Sequence, residues 1–133
     1  MNQTTITQVL ESKLSAVADE LGLRIAWDNI EFTPDDNIYL QSHVLPSMTV
    51  SNDLGGQMRI WRGVFQVDVC APVASGKAGV IKVADNVVAA FPFNMELSSG
   101  VYINSVPSQY PALISGTTYK IPISMNYRVD DGL

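Results

Sequence analysis

The stretch "MRIWRGVFQVDVCAP", residues 58–72, determines the expected fold more than any other part of the chain. From Phe65 to Val69 apolar and polar residues alternate, which predicts a strand with one buried face. The strand begins with Arg59, Trp61 and Arg62 and ends at a proline. No residue with evident catalytic chemistry accompanies these side chains, so the stretch indicates a contact surface rather than a substrate pocket.

Further strands are expected on both sides of this stretch. The predicted strands are residues 23–29, 38–45, 57–71, 95–107 and 117–129, and the strand at 95–107 could be broken near Ser98, Ser99 and Gly100. Residues 38–45 and 57–71 are expected to pair as a long hairpin. Pro122 removes a hydrogen-bond donor from the last strand, which predicts that this strand is an edge or carries a bulge. Residues 108–116 are expected to be a loop.

Two helices are predicted from apolar residues at helical spacing. The first is residues 5–21, with Thr5 as its cap, Gln8 completing a capping box and Gly22 at its end. The second, residues 77–91, stops before a proline. The order of elements predicts an α+β fold: a mostly antiparallel, mixed sheet of about four to five strands with two helices packed on one face. The whole chain, residues 1–133, is expected to be a single domain.

The composition excludes several classes of protein. Net charge is −5 and basic residues form no run, so a surface built to grip nucleic acid is not expected. No apolar stretch is long enough for a membrane span, and the first residues, MNQTTITQ, do not resemble a secretory signal. One cysteine cannot form an internal disulfide, which favours a reducing cytoplasm. Charged residues make up only 16% of the chain, which suggests surface that another subunit covers.

No motif for catalysis, cofactor binding or metal binding is present, and no such site is predicted. His43 and Cys70 could form a dyad if their strands pair, but no orienting acid or oxyanion hole is indicated. A partly buried structural histidine and a buried cysteine are therefore favoured. The paired acids at 35–36 and 130–131 are interpreted as solvated turn residues.

The long segment between the two hairpin strands, residues 46–56, together with the start of the following strand, is the main candidate for subunit contact. It combines polar residues with adaptable apolar ones. Trp61 has two interpretations that the sequence does not separate: a core residue, or an aromatic anchor where subunits meet. The predicted interface consists of Met48, Val50, Leu54, Met58, Arg59, Trp61 and Arg62.

The ordered features of the chain resemble small phage and prophage tail terminator proteins of the lambda type. The resemblance lies in "WDNIEFTPDDNIYLQSHVLPS" (27–47), "RGVFQVDVCAPVASGKAGVIKVADNVVAAF" (62–91) and "YKIPISMNYR" (119–128), so it covers nearly the whole chain. The residues that match the family pattern are Asn29, Phe32, Pro34, Gly63, Gln66, Val67, Asp68, Val69, Ala71, Pro72, Gly76, Ala84, Asp85 and Phe91.

The resemblance implies a structural virion protein, not an enzyme, with no cofactor. Such proteins form a hexameric ring that caps the tail tube, ends tail polymerisation and provides the head–tail joining surface. The implied partners are further copies of the chain, the tail tube protein and a head-side connector protein, with DNA only passing through the lumen and no membrane. The implied location is the head-proximal end of the virion tail, after assembly in the host cytoplasm.

Two other functions stay open at the level of sequence. One is a head-completion or neck adaptor of the same virion, which composition does not distinguish from a terminator. The other is a small-molecule-binding α+β module, which would need a cleft with converging polar groups.

Overall fold

A computed structural model of the protein describes residues 1–51 and 58–131. Within those residues the chain forms two helices and eight strands. The elements in chain order are α1 (Gln3–Leu21), β1 (Arg24–Ala26), β2 (Tyr39–Pro46), β3 (Val50–Ser51), β4 (Arg59–Pro72), α2 (Ala78–Ala90), β5 (Tyr102–Ile103), β6 (Ser108–Gln109), β7 (Leu113–Ser115) and β8 (Thr118–Asp131).

The strands form one mixed sheet in the order β1-β2-β4-β8-β5. Of the strand pairs in the described residues, only β1–β2 is parallel. The short strand β3 pairs with β4, and β6 and β7 pair with β8. The predicted long hairpin is confirmed, since β2 and β4 pair antiparallel from Tyr39 opposite Cys70 to Pro46 opposite Gly63. The α+β class is also confirmed, but the sheet is larger than predicted because it includes three further short strands, β3 beside β4 and β6 and β7 beside β8.

Both helices contribute to one hydrophobic core on a single face of the sheet. Alternate residues of β4 and β8 point into this core, and the Phe65 ring meets the Phe91 ring at the end of α2, with centroids 5.9 Å apart. From α1, Leu10 and Leu14 enter the same core and are fully buried. The buried side chains of the two long strands on this face are Phe65, Val67, Val69, Ala71, Ile121, Ile123, Met125, Tyr127 and Val129.

The first helix begins two residues earlier than predicted, and its cap is a different residue. The Asn2 side-chain oxygen accepts a hydrogen bond from the Thr5 backbone N–H at 2.9 Å, so the predicted Thr5 cap and its capping box with Gln8 are wrong. At the other end the prediction is confirmed. Gly22 adopts φ 70°, a left-handed conformation that ends the helix and that glycine adopts without steric cost.

The region after α2 departs most from the predicted strands. The break predicted near Ser98, Ser99 and Gly100 is confirmed, since Ser99 and Gly100 have φ values of 53° and 79° and turn the chain. The strand predicted at 95–107 is reduced to Tyr102–Ile103. The predicted loop at 108–116 contains β6 and β7. Each of these strands is only two or three residues long and pairs with β8; β7 forms a tight hairpin with the start of β8, whereas β5 and β6 pair with residues further along it.

The last predicted strand lies inside the sheet, and its predicted edge position is wrong. β8 pairs with β4 on one side and with β5, β6 and β7 on the other. The Pro122 carbonyl accepts a hydrogen bond from the Tyr110 N–H, between β6 and β7. Because the N and C=O of one strand residue point to the same side, the donor that proline lacks would face this gap rather than β4. The β4–β8 pairing therefore tolerates the proline.

Candidate assembly surface

The predicted interface residues lie at the far end of the β2–β4 hairpin. Met48, which follows β2, is 76% exposed, and Met58, which precedes β4, is 39% exposed. Val50 lies in β3 opposite Ile60 and is half-buried. Leu54 lies outside the described residues. The hairpin end thus brings two exposed methionines and a short strand together at one corner of the sheet.

Strand alternation places Arg59 and Trp61 on one face of the sheet and Arg62 on the other. Trp61 is half-buried against the hydrophobic core, opposite Val129 on β8. Its indole Nε1 is buried and has no hydrogen-bond partner among the described residues. Arg59 and Arg62 are exposed. Packing against the core therefore accounts for the burial of the Trp61 ring. The role of Trp61 in subunit contact stays a prediction.

The arginine-rich end of the sheet carries matching acids. Arg62 lies directly opposite Arg128 on β8. Arg128 Nε donates to Asp130 at 2.8 Å, and this hydrogen bond raises the pKa of the guanidinium above its ordinary value. Tyr102 also donates to Asp130, at 3.2 Å. This corner is thus a network of exposed charges, and exposed pairs of this kind contribute little to stability.

His43 connects two carboxylates on the sheet face opposite the core. Its Nδ1 lies 2.8 Å from Asp28, and its Nε2 lies 3.4 Å from Asp68. Asp68 is only 2% exposed and also accepts a hydrogen bond from Gln66 at 2.9 Å. Because a carboxylate only accepts, a neutral imidazole satisfies one of the two contacts and a protonated one satisfies both. The cluster ties the turn after β1 to β2 and β4, which is a structural role.

The same region does not form a cysteine–histidine dyad. β2 and β4 pair as the dyad would require, but the register sets Cys70 opposite Tyr39 and His43 opposite Gln66. The two residues are therefore about 13 Å apart along the strands. Burial, with a smaller contribution from the Asp68 carboxylate, raises the pKa of the Cys70 thiol to about 11. A nucleophilic cysteine needs a lowered pKa, so this thiol is poorly suited to catalysis.

The described surface offers shallow hollows rather than a catalytic cleft. One of these hollows has a volume of about 500 Å³ and is lined mainly by residues 26–32, from the end of β1 into the turn after it. Neither His43 nor Cys70 lines it. Across residues 1–51 and 58–131, no group of three or more His, Cys, Asp or Glu side chains is arranged to hold a metal ion. No helix in that part of the chain is long and apolar enough to cross a bilayer.

A second exposed apolar surface was not predicted from the sequence. It lies around β6 and β7, at the edge of the sheet beyond β8. Its large exposed side chains are Val106, Tyr110, Leu113 and Ile114, and we call this surface the uncharged edge. The signal in the sequence is the lack of any charged residue between Glu96 and Lys120. A strand followed by a loop, as predicted for this region, would not gather these side chains into one surface.

Comparison with known proteins connects this fold to one family. The family model described as phage tail terminator protein matches residues 5–127. One solved structure, whose name describes no function, is 35% identical with a TM-score of 0.80, over 97% of this chain and 96% of that one. A chain of the virion of a native gene transfer agent particle shares the fold, with 18% identity and a TM-score of 0.59 over 94% and 91% of the two chains. No curated protein matches the chain.

Proposed function

The chain belongs to the phage tail terminator protein family, and from this premise we propose that it caps the phage tail tube as a hexameric ring. The ring ends polymerisation of the tube and presents the surface to which the head is joined. The protein acts as a structural part of the virion tail at its head-proximal end, and it assembles in the host cytoplasm.

The observation that carries this proposal is the extent of the family match. It spans residues 5–127, from the first turn of α1 almost to the end of β8, so it includes the core, both helices and the hairpin. A match confined to one motif would support the fold of that motif alone. The match over the whole domain supports the family's structural role for the whole domain.

The exposed apolar side chains at the hairpin end support assembly through this surface. Met48 precedes β3 and Met58 directly precedes β4, which begins with Arg59 and includes Arg62. Methionine adapts its shape to a partner, and arginine is enriched where subunits meet. A ring requires a heterologous contact, in which one patch on each subunit meets a different patch on the next. The hairpin end supplies one of the two patches.

The proposed partners are further copies of the chain, the tail tube protein and a head-side connector protein. DNA passes through the lumen of the ring without being held. The net charge of −5 favours passage, since strong binding to phosphate relies on basic side chains that displace counterions.

Deletion of the gene from the phage or prophage, followed by electron microscopy of the particles, tests the proposal. We expect over-long tails that are not joined to heads, and tails of normal length when the protein is supplied from a plasmid. Tails of normal length beside leaking heads in the deletion strain would contradict tail termination and would indicate a neck protein instead.

A further inference from the structure

The uncharged edge is a sheet edge of two short strands, flanked by Pro107 and Pro111, that carries none of the charged side chains found on many edge strands. Every residue of β7 is exposed, and within the described residues β7 pairs with β8 alone. Leu113 lies opposite Lys120 and Ile114 opposite Tyr119, so the two side chains project to opposite faces of the sheet. They are 54% and 66% exposed. The edge therefore exposes an apolar side chain on each face of the sheet. A partner segment lying alongside the edge would cover both side chains.

The charge pattern makes this edge unusual for the chain. The 133 residues include 21 charged ones, about one in six, yet the 23 residues from Leu97 to Tyr119 include none. Exposed edge strands usually carry charges, especially lysine, that discourage pairing with other chains. An edge that lacks them and exposes large apolar side chains is a surface that a partner covers.

A second exposed apolar segment without charged residues lies towards the opposite edge of the same sheet. Leu45 at the end of β2 and Met48 after it are 49% and 76% exposed. Residues 44–52 also include no charged residue. β2 lies on one side of β4, whereas β6 and β7 lie beyond β8 on the other. A single chain cannot bring these two surfaces together, but two neighbouring copies can.

We propose that the uncharged edge of one copy receives the Leu45–Met48 segment of the next copy. This inference rests on the proposed ring, because it names the second of the two patches that a heterologous contact needs. The choice of a second copy follows from two observations: both segments lack charged residues and expose large apolar side chains, and they lie at opposite edges of one sheet. That placement lets each copy donate its segment on one side and receive its neighbour's on the other, so the contacts can close into a ring.

The first test compares two isoleucine substitutions with nearly equal starting exposure. Ile114 is 66% exposed in the uncharged edge, and Ile30 is 63% exposed in the turn after β1, outside both proposed patches. Ile114→Lys is expected to raise the concentration for half-assembly by about tenfold or more in sedimentation velocity, because the contact would bury an unpaired ammonium group. Ile30→Lys is expected to assemble as the wild type does. Equal effects of the two substitutions, or none from Ile114→Lys, would overturn the inference.

The second test joins the two patches covalently. A chain carrying Met48→Cys and Ile114→Cys is expected to form a ladder of disulfide-linked multimers on a non-reducing gel. Each single variant is expected to stop at dimers, since one new thiol per chain can form one bond. Cys70 is fully buried and contributes little background. A double variant that yields no species above a dimer would contradict the proposed contact.

Different results would overturn the proposed contact and the proposed tail terminator function. Oxidation is carried out both on the purified protein and on tails assembled with the variant chains, so that a ring formed only on a tail tube is detected. A double variant that assembles into a ring but gives no disulfide-linked ladder would overturn this contact and leave the tail terminator function standing. A wild-type protein that forms no multimer in solution and is missing from tails would overturn both.

Discussion

Gly63 sets the distance between β4 and the Tyr127 side chain. An added Cβ at this position would lie 2.5 Å from the Leu45 carbonyl oxygen and 2.5 Å from the Tyr127 hydroxyl oxygen. Neither neighbour can easily withdraw, since one is strand backbone and Tyr127 is fully buried. Glycine is needed here for space, since Gly63 is not among the residues with positive φ.

Gly63→Ala is therefore expected to destabilise the fold by about 1–3 kcal/mol, the usual cost of overpacking a closely packed site. The measurement is the free energy of unfolding in denaturant. Gly79→Ala is the matched control, because the nearest atom to its added Cβ is Ile38 Cδ1 at 3.8 Å, an ordinary contact. Gly79 lies in α2, where alanine is the better helix former, so this control is expected to be neutral or stabilising. Equal losses of stability in the two variants would contradict the packing argument.

The Cys70 thiol makes the stability of the fold depend on pH in the alkaline range. Burial raises the pKa of the folded thiol from 9.0 to about 11, so the folded state retains a proton that the unfolded state loses first. The resulting contribution to stability is complete below pH 9 and declines as the pH rises towards 11.

The free energy of unfolding of the wild type should therefore fall between pH 9 and 11 more steeply than that of Cys70→Ala, because only the wild type has this thiol to ionise. Tyr127 also has a raised pKa, which both proteins retain. The Cys70 thiol is one cause of the raised pKa of Tyr39, so the difference between the two pH profiles reports the thiol together with its coupling to Tyr39. Parallel pH profiles for the two proteins would contradict a thiol held protonated by burial.

The two long strands, β4 and β8, form the stable centre of the sheet. They pair along their whole length, from Arg59 opposite Asp131 to Pro72 opposite Thr118. β6 and β7 are short and lie at the edge. Such differences in pairing and burial create regions that open locally with different free energies.

Native-state hydrogen exchange is expected to show that the backbone amides of the central strands are better protected than those of the edge strands. In the monomer, the Val67 and Ile123 amides, which lie opposite each other in the buried β4–β8 pairing, should exchange at least about 100-fold more slowly than the amides of Leu113 and Ile114. Equal protection of the two groups in a monomer would contradict the assignment of β7 as a weakly held edge.

Long periodic elements could be predicted from the sequence, and short ones could not. Both helices, the long hairpin and the last strand carry enough apolar residues at a regular spacing to be recognised. β5, β6 and β7 have two or three residues each, and they form because β8 offers them hydrogen-bonding partners. The edge position predicted from Pro122 was wrong because a proline disrupts pairing only on the side to which its nitrogen points. That side is known only once the strand pairing is known.

The candidate site was partly predictable for a related physical reason. Met48 and Met58 are exposed next to the predicted loop, as their adaptable side chains in a polar segment suggested. Trp61 could not be assigned, because its strand position permits both core packing and contact with a partner. The uncharged edge was missed because its four exposed side chains come together only when β6 and β7 pair with β8.

At the scale of the whole molecule, the described residues form one hydrophobic core and two separate exposed apolar surfaces. The core lies between the helices and one face of the sheet, while the hairpin end and the uncharged edge lie on opposite sides of that sheet. A protein that acted alone would expose these surfaces to water at a cost in solubility. A ring of identical copies covers both with one repeated contact.

The most direct test of this account is chemical cross-linking of purified tails, followed by detection of the protein on a denaturing gel. The account predicts a ladder of cross-linked species that ends at six copies, about 87 kDa, which is six times the 14.5 kDa chain. A ladder that stops at the dimer, or tails that do not contain the protein, would contradict the ring.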